Sequence, residues 1–200
     1  GLEGDPDDVD GAANFTDGDV ADAVVENFTS IDKTATGGVL GDGGDGDPDF
    51  RVGEIVTYEV SVTLAPQATI ENFVISDDLA GAQGLEFTGE PTDITFTNVT
   101  ASTPDPPDPA AGDTSHSWDF GTLTVNAEDN AVTLRYRAQV TNALTPTDSD
   151  VQDRVNDATV SFDTAQGPFS SSTSAPVDVP QPRLVTSKTS TPSAPQRVDR

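Results

Sequence analysis

The sequence predicts an all-β chain folded as a sandwich of two packed sheets. Apolar residues recur with a period of two over many short stretches, no stretch shows a convincing helical period, and polar turns separate the strands. The clearest stretch is 54–64, where Val56, Tyr58, Val60, Val62 and Leu64 share one parity and Thr57, Glu59, Ser61 and Thr63 the other. Such alternation gives a strand one buried and one wet face.

Residues 1–28 are acidic, and no Lys or Arg precedes Lys33. Within them 4–11 reads as a loop, and 19–28 as the last strand of a preceding unit or a short helix. The counterpart of that segment at 174–183 favours strand and linker. A short strand, TSIDKT at 29–34, carries Lys33. It returns near the C-terminus as LVTSKT at 184–189, and the RV of Arg51–Val52 returns at Arg197–Val198. The chain therefore reads as residues 1–28 from a preceding repeat or linker, one repeat over 29–180, and the start of the next over 181–200. Lys33 lies 18 positions before Arg51 but Lys188 only nine before Arg197, so the first copy carries nine extra residues. They match the acidic Gly/Asp run within 37–50.

Further along, a turn at 65–68 leads to a strand at 69–77. Residues 78–89 supply a turn and a short strand, and 93–100 reads as one strand from its β-branched and aromatic content. The proline-rich 101–117 is a loop, since proline cannot donate to a ladder. A strand at 117–125 bends at Gly121, and 127–130 is a hairpin turn. In 131–141 the residues Val132, Leu134, Tyr136, Ala138 and Val140 point inward and Arg135 and Arg137 outward. In 153–163 Asn156, Ala158, Val160 and Phe162 share a face, and 171–179 closes the unit.

Composition bounds the function. Two hundred residues suffice for one or two domains with a real core. Nine basic against 35 acidic residues give a net charge of −26, which repels nucleic acid and anionic membranes. Regular strands argue against disorder, so the acids read as a halophile-type coat whose repulsion molar salt screens. There is no cysteine, hence neither disulfide nor zinc-thiolate site. No apolar run approaches the length of a membrane span, and no leader is visible at Gly1. Any anchor is expected outside this segment.

The succession VGEIVTYEVSVT, NFVISDDLAGAQGLEFTG, SWDFGTLTVNAEDNAVTLRYRAQVT and RVNDATVSF resembles the prokaryotic surface repeats known as domain of unknown function 11. The likeness covers roughly 29–179. It departs at Ala80–Gly81, where that family usually has Pro-Ala-Gly, and in the acidic insert and the proline loop. The resemblance implies an immunoglobulin-like sandwich of about seven to nine strands, strung head to tail in secreted or wall-attached proteins, with no enzymatic activity.

Four groups of residues are candidates for chemistry. Asp45, Asp47 and Asp49, with Asp42 nearby, have the alternate spacing of a calcium loop, but lack its glycine at position 6 and glutamate at position 12. The alternative is a solvated acidic loop. Three sequons stand at Asn14, Asn27 and Asn98, and the shared parity of Asn98 with Phe96 argues against its exposure unless it lies at the strand end. His116, the sole histidine, has no partner for a metal or nucleophile site, and Trp118 reads as core, or as a sugar-binding ring if exposed. The fourth group is Lys33, Asp77 and Asn156. The only two lysines occupy equivalent repeat positions, while every other basic residue is arginine. Lys33 shares parity with Ile31, Asp77 with Phe73 and Ile75, and Asn156 with Ala158, so all three point toward the core. There Lys33 could attack the Asn156 carboxamide, with protonated Asp77 polarising the carbonyl, to form an isopeptide bond. First-strand lysine to late-strand asparagine bonds occur in similar surface sandwiches. The alternatives are a buried Lys–Asp ion pair capped by Asn156, or a strand-end lysine reaching solvent.

These features lead to a structural repeat of an extracellular filament, stalk or surface layer from a halophile. Its partners are neighbouring copies, met head to tail or by strand addition. A calcium-dependent adhesin domain, binding glycan or protein through its end loops, is the competing expectation. An enzyme such as a glycosidase would need two buried carboxylates facing one cleft, and among so many acids a pair arises readily by chance, so the third reading, an enzyme, is set below the other two.

Overall fold

The computed structural model describes residues 28–40, 44–82, 84–141, 151–164, 167–180 and 188. Among them are ten strands and no helix: β1 (Phe28–Gly37), β2 (Ile55–Leu64), β3 (Thr69–Asp78), β4 (Leu85–Phe87), β5 (Asp93–Thr97), β6 (Val99–Ala101), β7 (Ser115–Val125), β8 (Ala131–Val140), β9 (Val151–Thr164) and β10 (Gly167–Pro180). They form two antiparallel sheets. The first runs β1-β2-β8-β4, with β5 also on β8, and the second runs β10-β9-β3-β7-β6. The inward parity of each strand builds one core between the sheets. Val56, Tyr58, Val60 and Val62 meet Leu134, Tyr136 and Ala138 from the first sheet, and Phe73, Ile75, Trp118, Phe120, Val160 and Phe162 from the second. Arg135 and Arg137 lie outside, paired with Glu59 and Glu90. This is an immunoglobulin-like β-sandwich, as the alternation requires.

The count of ten exceeds the seven to nine expected, and residue 98 supplies the reason. The stretch 93–100 is not one strand. Asn98 takes a left-handed φ of 50° and divides it. On one side β5 pairs with β8 of the first sheet, and on the other β6 pairs with β7 of the second. The chain thus changes sheets at Asn98, at a corner the composition of the stretch does not mark.

The acidic insert also departs from a simple solvated loop. Its end is a strap across the seam between the sheets. Phe50 N–H donates to Asp178 O at 2.7 Å, and Asp178 N–H donates to Pro48 O at 3.1 Å. Phe50 is fully buried and Asp49 nearly so. The strap lies so close to Gly38, which has φ +80°, that a Cβ there would stand 2.4 Å from Asp49 O. Only glycine fits that contact without a shift.

β1 and β10 run in the same direction along the seam. Phe28 at the start of β1 packs on Phe169 near the start of β10, with centroids 5.0 Å apart. At the other pole Gly38, just past β1, touches the strap that pairs with Asp178 near the end of β10. β1 therefore begins at one pole and β10 ends at the opposite one. At about 3.3 Å per residue the 14 residues of β10 span about 45 Å.

Candidate functional site

Three strands from two sheets bring Lys33, Asp77 and Asn156 together. Lys33 sits mid-way along β1, opposite Val60 of β2. Asp77 lies on β3 of the other sheet, opposite Ala158 of β9, and Asn156 is one inward step further along β9. Each occupies a parity that its apolar neighbours force inward. Lys33 and Asp77 side chains are fully buried, and Asn156 is 0% exposed.

Lys33 Nζ lies 2.5 Å from Asp77 Oδ2 across the sheet interface. A strand-end lysine reaching solvent is thereby ruled out. The same Oδ2 accepts a hydrogen bond from the Tyr136 hydroxyl on β8. Asn156 Nδ2 donates in turn to the Tyr136 hydroxyl at 3.4 Å. Tyr58 stacks on Tyr136 with centroids 5.6 Å apart, and Lys33 Nζ stands 4.9 Å from the Tyr58 ring. The Tyr58 hydroxyl makes no hydrogen bond of ordinary geometry, with Asn156 as its polar neighbour. In this site Asp77 Oδ1 and Asn156 Oδ1 are likewise buried and make no hydrogen bond of ordinary geometry among the described residues.

Burial dominates the electrostatics. Desolvation lowers the Lys33 pKa, against the opposing pull of Asp77 and, from further off, Asp157. Desolvation raises that of Asp77, against the opposing effects of Lys33, Tyr136 and Asn156. Both directions favour the neutral amine and the neutral acid over the ion pair. Both tyrosines are raised by burial and by the field of Asp77. Parity had marked Tyr58 and Tyr136 as core residues. Their hydroxyls, and their place against the lysine, went unrecognised because the partners lie on other strands.

The remaining candidates are scattered. Asn14, Asn27 and Asp42 lie outside the described residues. Asn98 is exposed, as its place at the strand end between β5 and β6 allows, and its left-handed backbone breaks the parity it shares with the half-buried Phe96. Its Nδ2 donates to the carbonyls of Glu128 and Asp129, each at 3.2 Å. Asp45 accepts from Asp47 N–H at 3.2 Å within the loop. Among the described residues no group of three or more His, Cys, Asp or Glu side chains is arranged to hold a metal. Asp45 and Asp49 instead approach Asp178, whose pKa is pushed up to about 6 by burial first and by Asp45, Asp153 and Asp49 after it. Trp118 is fully buried, with its indole N–H on Thr92 Oγ1 at 3.1 Å, so it presents no ring to a sugar. His116 hydrogen-bonds Pro107 O at 2.9 Å and packs edge-on against Trp118, fastening the proline loop. Lys188 is exposed.

No protein-family model matches the chain, and no curated protein matches it. Solved structures do align with it at low identity. The collagen-binding subdomain of the Enterococcus faecalis surface protein ACE aligns at 12% identity over 78% of this chain and 99% of its own, with a TM-score of 0.41. AvmM, described as catalysing macrocyclisation in alchivemycin A biosynthesis, aligns at 14% over 80% and 92%, with a TM-score of 0.38. AggA, the major subunit of an Escherichia coli aggregative adherence fimbria, aligns at 16% over 78% and 97%, with a TM-score of 0.34. Likenesses at this level leave function to the chemistry of the site.

Proposed function

We propose that this chain is a load-bearing repeat of an extracellular filament, stalk or surface layer, locked internally by an isopeptide bond between Lys33 and Asn156. The observation that carries the proposal is the meeting of Lys33, Asp77 and Asn156 inside a sealed core. A buried ion pair is a poor way to gain stability, because desolvation costs rival the attraction. A covalent bond removes both charges. Transfer of one proton from Lys33 to Asp77 leaves a nucleophilic amine and an acid. A proton on Asp77 would supply a donor at a site where Asp77 Oδ1 and Asn156 Oδ1 make no hydrogen bond of ordinary geometry among the described residues. Given to Asn156 Oδ1, that hydrogen bond polarises the carbonyl that Nζ attacks. The Nζ–Cγ bond forms, the Cγ–Nδ2 bond breaks, and ammonia leaves.

The course of the chain supports the mechanical part. β1 begins at one pole and β10 ends at the other, so successive copies would extend along one axis. The bond would tie β1 of one sheet to β9 of the other, next to the seam that tension would open. The acidic coat supports a halophilic, extracellular setting, and the motif order supports a place among the surface repeats it resembles. Intact mass tests the central claim. The complete repeat should be lighter by one ammonia, and Lys33→Ala and Asn156→Ala should each restore the full mass. An unmodified wild-type mass would end the proposal.

A calcium-dependent adhesin is the second reading, motivated by the influence of Asp45, Asp153 and Asp49 on Asp178, although these carboxylates are not arranged as a metal site among the described residues. Its test is titration calorimetry with calcium, in which Asp178→Asn and Asp49→Asn should abolish the heat. Absence of heat in the wild type would dismiss it.

A further inference from the structure

We propose that Tyr136 is a catalytic residue for the Lys33–Asn156 bond, passing the proton given up by the lysine to the departing nitrogen of the asparagine. The inference rests on the isopeptide reading and adds to it a role for a residue that reading leaves idle. Amide exchange has a leaving-group problem: Nδ2 departs as ammonia only after gaining a proton, while Nζ must lose two to become an amide nitrogen. Lys33, Asp77 and Asn156 are shut off from bulk solvent, so the protein's own groups are the ones placed to connect the two nitrogens.

A continuous chain of hydrogen bonds does so. Lys33 Nζ donates to Asp77 Oδ2 at 2.5 Å, the Tyr136 hydroxyl bonds the same oxygen, and Asn156 Nδ2 bonds the Tyr136 hydroxyl at 3.4 Å. The nucleophile and the leaving group are thus joined through one carboxylate oxygen and one phenol. The arrangement also orients the carboxamide. With Nδ2 held by Tyr136, Oδ1 is the atom left for the acid proton of Asp77. Stacking on Tyr58 and contact with Trp118 fix the Tyr136 ring.

The protons balance. Lys33 begins with three on Nζ, Asp77 with none and Nδ2 with two. The first proton passes from Nζ to Asp77, and the freed lone pair attacks Cγ, pushing the carbonyl electrons onto Oδ1. The second passes from Nζ to Asp77 Oδ2 as the Tyr136 hydroxyl turns and gives its own proton to Nδ2. Tyr136 is then refilled from Oδ2. The Oδ1 electrons return, Cγ–Nδ2 breaks, and ammonia leaves with three protons. One remains on the new amide and one on Asp77.

The test follows ammonia loss by intact mass in newly synthesised full-length chain. Tyr136→Phe keeps the ring and its packing but cuts the relay. Bond formation should slow by about a hundredfold or more, the usual share of a general acid or base. Bond formation at the wild-type rate in Tyr136→Phe overturns the relay while leaving the cross-link standing. A wild-type chain that never loses ammonia overturns both. Should Tyr136→Phe fail to fold by circular dichroism, the two-tyrosine composition offers another route. In a Tyr58→Phe background, 3-fluorotyrosine labels position 136 alone. Its more acidic phenol should close the bond faster than tyrosine in the same background, and an unchanged rate overturns the proposal.

Discussion

Mechanical extension gives the isopeptide reading its most quantitative test. The perturbation is Asn156→Ala, which removes the electrophile and leaves the Lys33–Asp77 pair in place. From Phe28 to Pro180 the chain takes 180 − 28 = 152 steps. Stretched at about 3.4 Å per residue it reaches about 500 Å, against the ~45 Å separating the poles when folded. Unfolding the variant under force should therefore lengthen the tether by about 470 Å. In the wild type the bond would short-circuit everything between residues 33 and 156. Only 33 − 28 = 5 steps before the bond and 180 − 156 = 24 after it could pay out. Those 29 steps reach about 100 Å, so the net gain falls below about 100 Å once the folded span is subtracted. Single-molecule force spectroscopy on the full chain, tethered by its ends, resolves the difference readily, since residues outside 28–180 are the same in both proteins. A wild-type increment near that of Asn156→Ala would refute the covalent lock, whatever the force at which it appears.

Three further outcomes follow from the same structure. Loss of a cross-link closing a loop of 156 − 33 = 123 residues should cost about 4–5 kcal/mol by analogy with disulfides, so calorimetry of Asn156→Ala should show a melting point about 10–20 °C lower. A drop of only a degree or two would mean that the wild type lacks the bond. Asp178 has a folded pKa raised to about 6, chiefly by burial. A raised acid pKa gives stability that is complete below the unfolded value and is lost as pH rises through the folded one. Asp178→Asn should therefore stabilise the protein at pH 8 and change little at pH 4, as read from denaturant midpoints; equal effects at both would contradict the assignment. Finally, the net charge of −26 predicts loss of structure on moving from molar to millimolar salt. Circular dichroism unchanged over that range would remove the halophile reading.

The parts of this molecule legible in the sequence are those that depend on local periodicity. Period-two alternation placed nearly every strand and its inward face, because a one-residue error would turn a whole apolar set to water. It also put Lys33, Asp77 and Asn156 on buried parities, which was enough to suspect their meeting. Parity says only that a side chain points inward, not what it meets. Tyr136 belongs to β8 and touches Asp77 of β3 and Asn156 of β9, contacts set by sheet order and register across the core. The same limit hid the corner at Asn98, where strand-like composition continues while the pairing partner changes. It also hid the strap at Asp49–Phe50, whose acidic Gly-rich sequence looks solvated until Phe50 is seen filling the seam. A buried lysine in a chain whose other basic residues, Lys188 apart, are arginine remains the most informative sequence signal. Arginine stays charged in essentially any environment, whereas a desolvated lysine can yield its proton and become a nucleophile. The choice of lysine at position 33 thus makes chemical sense if the amine is consumed, and has no evident advantage over arginine if it serves only as a cation.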